Sequence, residues 1–141
     1  MGARLVALAV AVLALAWTAT AGAADAAILD HKGRWESGYG STWYNVVGRL
    51  RNTSGHDLRW VKLRIEALDD AGKVVASTET YNESAEVLTV PEVDPKEILA
   101  KGKVKPLAAA AEERFRGSFL KDETPPFKDY RVTIVETPAP Q

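Results

Sequence analysis

His31 and His56 are the two imidazoles of the chain, and there is no cysteine beside either of them. A metal centre or a general base needs groups that converge, and neither histidine has another His or Cys at ligand-like spacing. Each reads as a loop or strand-end histidine. The absence of cysteine excludes thiol chemistry and thiolate-held zinc. No serine sits in a nucleophile elbow, and no glycine loop is built to cradle phosphate. Asp69-Asp70 with Gly72 offers two carboxylates where calcium needs about six or more oxygens, so it reads as a hairpin tip. Glu36, Glu79 and Glu112 would support glycoside chemistry only as a pair about 5–10 Å apart in one cleft. The expectation is a protein that is not an enzyme and takes no cofactor and no metal.

The aromatic residues are the stronger group. "GRWESGYGSTWY" holds Trp35, Tyr39, Trp43 and Tyr44 among three glycines and two serines, so residues 34–44 are expected to form a loop that presents rings to a partner. Trp60 stands beside Arg59 further on. Trp35, Tyr39, Trp43 and Trp60 are the candidate partner-binding residues. Two uses suit them: contact with a protein or envelope component, or stacking on a carbohydrate or other small ligand. The plainer alternative has Trp43 and Trp60 folding over sheet edges and covering the stems of Arg and Lys. Asn52-Thr53-Ser54 and Asn82-Glu83-Ser84 fit the glycosylation pattern, which is read as coincidence; Asn52 is expected to hydrogen-bond backbone where a strand ends.

The elements that must carry these residues follow from alternation. In "WYNVVGRLRN" Tyr44, Val46, Gly48 and Leu50 share one face, which is expected to point inward, with Gly48 leaving a bulge or room for a large ring. "NTSGHD" is a connection. "LRWVKLRIEAL" alternates again, with Val61, Leu63, Ile65 and Ala67 inward, and "DDAGK" closes a hairpin onto "VVASTETY". "ERFRGSF" and "DYRVTIVE" are two more strands, separated by the paired prolines of "LKDETPPFK". "AILDHKGRW" is a further, weaker strand. Within residues 82–104, Asp94-Pro95-Lys96-Glu97 predicts a short helix lying across an edge and ended by Gly102. "EVLTV" is expected to add a short strand, and "LAAAAEER" a helical turn. Six or seven strands with one dry face each make an all-β, immunoglobulin-like antiparallel sandwich over residues 24–136, with a disordered tail at 137–141.

The N-terminus sets the expected compartment. Arg4 precedes an uncharged run from Leu5 to Trp17, and Ala21-Gly22-Ala23 has the form of a cleavage site, so residues 1–23 read as a signal peptide. The rival is an uncleaved anchor. Export to the periplasm or outside the cell is expected, with no stable membrane span after cleavage. With 18 basic and 19 acidic residues the chain is near neutral, and nothing predicts nucleic-acid binding.

With the strands placed, Val47-Gly48-Arg49-Leu50-Arg51-Asn52-Thr53-Ser54, then Leu58, Val61, Leu63, Ile65, and the Asp69/Asp70-Gly72-Lys73-Val74-Val75 hairpin resemble the FxLYD family. The resemblance runs from Tyr44 to Val75 and more loosely over Phe115–Val135. Ile65-Glu66-Ala67-Leu68-Asp69 stands where the family's naming motif falls. The resemblance implies a small immunoglobulin-like sandwich on an exported prokaryotic protein, without an assigned catalytic role.

Overall fold

A computed structural model of the protein describes residues 25–90, 94–102 and 104–140, so the expected signal peptide lies outside the described residues. Six strands form two sheets: β1 (Ala26–Gly38), β2 (Ser41–Asn52), β3 (Lys62–Leu68), β4 (Val74–Tyr81), β5 (Glu112–Leu120) and β6 (Asp129–Glu136). One sheet has the order β1-β2-β5 and the other β4-β3-β6, with all pairings antiparallel. This is the expected all-β sandwich. Among the described residues no helix is long and apolar enough to cross a membrane.

Alternation sets the inward faces as expected. Val46 and Leu50 of β2 and Leu63, Ile65 and Ala67 of β3 are fully buried, together with Leu58, Val61 and Leu107 outside the strands. Removing a Leu or Ile side chain of this kind from water stabilises the fold by about 1.5–3 kcal/mol. Phe115 and Phe119 of β5 close the same core. Gly48 leaves room for a ring, as its position predicted: a Cβ there would overlap both Phe115 and the Asp30 carbonyl. Gly117 does the same for Ile65, so that the two sheets meet closely. Asn52 and Asn82 are the large buried polar groups. Asn52 donates to the carbonyls of His56 (2.7 Å) and Leu107 (2.9 Å) and accepts from Ser54, the strand-end task expected of it. Asn82 accepts from Val61 N–H and donates to Glu113. Both amides are 0% exposed in the fold, which leaves neither open to glycosylation.

Four local expectations are corrected. Residues 34–44 are not a loop: β1 and β2 run on as one long hairpin, and Trp35 pairs with Tyr44 within it. His31 accordingly sits within β1 and not at its end. Glu86–Thr89, expected as a strand, belong to a 3₁₀ helix (Glu83–Thr89) that buries Ala85 against β4 and β5. The short helix α1 (Pro95–Ala100) forms as predicted, with the Asp94 carboxylate capping Lys96 N–H, but it buries no residue, so the 3₁₀ helix is what covers the sheets. In place of a helical turn, residues 108–111 make a tight turn with Ala110 at φ 64°. Ala110 N–H donates to the Asn52 carbonyl and Asn52 N–H to the Ala111 carbonyl, which fastens this turn to the end of β2, and tertiary pairing overrides the propensity of alanine. At the start of the tail, Thr137 bonds to Asp25 and the Pro138 carbonyl accepts from Arg59 N–H.

Candidate functional site

The turn joining β1 to β2 is two residues long, Tyr39-Gly40, with φ values of 51° and 77°. Two-residue hairpin turns of this left-handed kind match the twist of their strands and favour Asn or Gly. Tyrosine is a poor choice there, since a side chain in the left-handed region costs about 1–2 kcal/mol. Its ring is fully exposed. The tip also overhangs the sheet, because β2 pairs with β5 only from Trp43 onward. Ser37 and Thr42 share a hydroxyl hydrogen bond of 2.9 Å across the projecting strands.

Behind the tip lies an aromatic cluster. Tyr44 stands 5.1 Å from Trp35, 5.1 Å from Phe127 and 5.8 Å from Tyr130, measured between ring centres. Phe127, delivered by the segment after the paired prolines, also meets Trp35 (5.5 Å) and Phe119 (5.9 Å). Gly33 makes space for the Tyr44 ring, which a Cβ at that position would overlap. His31 Nδ1 and Tyr130 Oη share a hydrogen bond of 2.7 Å. Burial, reinforced by nearby Asp129, pushes the phenols of Tyr44 and Tyr130 above their ordinary value. Lys121 Nζ lies 6.0 Å from the centre of the Trp35 ring, near the limit for a cation–π contact.

The four candidate partner-binding residues do not form one surface. Trp35 and Tyr39 share the tip and its base. Trp43 pairs with Glu36 on the opposite, outer face of the same hairpin. Trp60 lies at the other end of the molecule, beside the Lys62–Tyr81 end of the second sheet. Its indole N–H donates to Glu136 (2.8 Å), Arg59 stacks over its ring at 4.8 Å, and Tyr81 packs edge-on at 6.4 Å. These contacts hold the ring at the strand ends of that sheet and not over an edge.

The three carboxylates do not gather into a cleft. Glu36 and Glu112 stand at opposite ends of the β1-β2-β5 sheet, and Glu79 is on the other sheet. Hydrogen bonds from Asn45 and Arg34 hold Glu36 below the ordinary carboxylate range, and one from Arg51 does so for Glu112. His56 Nδ1 lies 2.8 Å from the Asp57 carbonyl, away from His31. Among the described residues no group of three or more His, Asp or Glu is placed to hold a metal ion.

The alternation of cations in "GRLR" and "ERFRG" becomes a surface once β2 and β5 are neighbours. Lys32, Val47 and Arg116 form one cross-strand row on the outer face, and Asp30, Arg49 and Arg114 form the next. A hollow of about 580 Å³ opens over Lys32, Val47, Gly48 and Arg114, with the Asp30–Arg49 ion pair and His31 in its wall, and another of about 320 Å³ continues from Val47 and Arg114 to Arg116. No protein-family model, no curated protein and no solved structure matches the chain.

Proposed function

We propose that this is an exported, non-enzymatic β-sandwich of the FxLYD kind that acts by contact with a protein or other component of the cell envelope. Export is supported by the order of charge, apolar run and small residues in the first 23 positions. The observation that carries the contact reading is Tyr39: a fully exposed ring held on left-handed backbone at the end of an overhanging hairpin. Strain of this sort persists where surrounding structure enforces it, and it gathers at sites that act on something else. The packed cluster anchors the base of the hairpin and the Ser37–Thr42 hydrogen bond ties its strands together, which limits the freedom lost on binding.

Tyr39→Gly tests this cleanly. Glycine relieves the positive φ, so the variant keeps the melting temperature of the parent or exceeds it slightly. Site-specific photocrosslinking from position 38 in cells, read by mass spectrometry, is expected to yield one dominant envelope adduct that Tyr39→Gly abolishes. An adduct of unchanged yield in that variant removes the tip from the contact surface. Trp35→Ala is a poorer probe, since it also strips packing from Tyr44 and Phe127.

A further inference from the structure

The outer face of the β1-β2-β5 sheet carries more positive charge than its own carboxylates neutralise. Asp30 binds Arg49 at 2.7 Å, Glu112 binds Arg51 at 2.8 Å and reaches Arg49 at 3.7 Å, and Glu36 binds Arg34 at 3.1 Å. Lys32, Arg114 and Arg116 make no ion pair among the described residues. The register also sets Arg114 directly opposite Arg49. Asp30 and Glu112 hold Arg49, which leaves the Arg114 charge of that row without a carboxylate partner among the described residues.

These cations are arranged as rails. Lys32 stands on β1 and Arg114 and Arg116 on β5, with the half-exposed Val47 of β2 as a floor between them. Two strand spacings separate the rails, about 10 Å between backbones. Along β2 the same face continues to Asn45, bonded to Ser118 at 2.6 Å, and then to Trp43. Trp43 lies about 13 Å from Val47 at strand rise, and its indole N–H donates to no atom of the described residues. Glu83 and Glu86 line the far side of the smaller hollow and bound the cationic area there.

We propose that this face binds an acidic polysaccharide, a chain of sugars bearing carboxylates, laid along β2 between the rails with one ring stacked on Trp43. Charge complementarity requires an anion. β2 is the central strand, hydrogen-bonded on both sides, so the ligand is recognised by side chains and not by strand addition. The floor is recessed below the cations, whereas a bilayer surface is gripped by rings and apolar side chains that stand proud. A flat indole and spaced cations suit sugar faces and carboxylates in turn, and Asn45 between them is buried and bonded to Ser118. This surface is separate from the Tyr39 tip, and the two proposals fail independently.

The test is affinity electrophoresis of the full chain at low salt in gels containing polygalacturonate, with dextran, poly-glutamate, single-stranded DNA and phosphatidylglycerol vesicles as comparison probes. Polygalacturonate is expected to retard the chain more strongly than any of the others. Lys32→Gln combined with Arg116→Gln weakens retardation at least tenfold with the melting curve retained. Trp43→Ala weakens it further, and Tyr39→Gly leaves it unchanged. No retardation overturns the proposal, as does retardation untouched by the double variant. Equal retardation by poly-glutamate or DNA overturns it in favour of charge alone, and stronger capture by vesicles in favour of a membrane surface. Full binding by Trp43→Ala overturns the placement along β2.

Discussion

The two outer faces of the sandwich are built on the same three-stranded plan and differ in how they settle their charge. On the β4-β3-β6 face the cations meet acids across the strands. Arg64 lies opposite Glu79 and Arg131 opposite Glu66, in contact at 3.4 and 2.8 Å, while Lys62 reaches Glu79 at 3.6 Å. On the β1-β2-β5 face Arg49 finds Asp30 on one side and Arg114 on the other. Register therefore decides whether alternating charge becomes a neutral lattice or a field. Only the second arrangement leaves attraction to spare for something outside the molecule.

The comparison breaks most completely at the floor of the cationic face. Gly48→Val forces Phe115 and the Asp30 backbone apart, and overpacking of that severity is expected to cost about 3 kcal/mol or more in chemical denaturation. Asn52→Ala comes next: it takes one of two donors from each of the Leu107 and His56 carbonyls and the acceptor from Ser54, a loss of about 1–3 kcal/mol by the same measurement. Smaller and more telling is the response to salt. Arg131→Gln is expected to lower the melting temperature at low ionic strength, and Arg114→Gln to raise it or leave it unchanged. Added salt brings both variants toward the parent, from opposite directions. Two identical responses would mean that the faces do not differ.

The smallest effect is on the acid limb. Hydrogen bonds from Arg49, Arg131 and Arg51 hold Asp30, Glu66 and Glu112 below the ordinary carboxylate range in the fold. Their contribution is full above the unfolded values, about 4, and is lost as pH falls through the lower folded values. In Arg131→Gln, Glu66 returns toward its ordinary value and its share of the acid-induced loss disappears, so the variant should start lower at neutral pH and the gap to the parent's melting temperature should narrow as pH falls. Coincident acid limbs would remove that pair from the account.

The sandwich was legible because β2 and β3 each bury one face along their whole length, which writes period two into Val46, Leu50, Leu63 and Ile65. Gly48 was legible for the same reason, as a gap on a face that must be full. β1 was weaker in the sequence because it is an edge strand whose residues are mostly exposed, so its apolar signal is thin. The hairpin turn was missed because Tyr39-Gly40 lacks the Asn-Gly or Asp-Gly signature, and the glycines and serines around it read as loop. The aromatic cluster needs Phe127 and Tyr130, about ninety positions from Trp35, and nothing local announces that meeting. The cations of the outer face alternate plainly, but pairing and register, which separate rails from salt bridges, are properties of the fold.

Among the described residues β1 has a neighbour on one side only, and its length invites another chain to hydrogen-bond along the other. The order of its outward charges resists this. A second copy laid antiparallel about Gly33 sets Asp30 against Glu36 and Lys32 against Arg34. A slip of two residues either way brings Lys32 onto Lys32 or Arg34 onto Arg34, but it also sets Asp30 against Arg34 or Lys32 against Glu36, so charge opposes only the register centred on Gly33. This edge of the protein thus repels its own reflection about Gly33, and charge steers any ribbon of crowded copies into registers that are out of step.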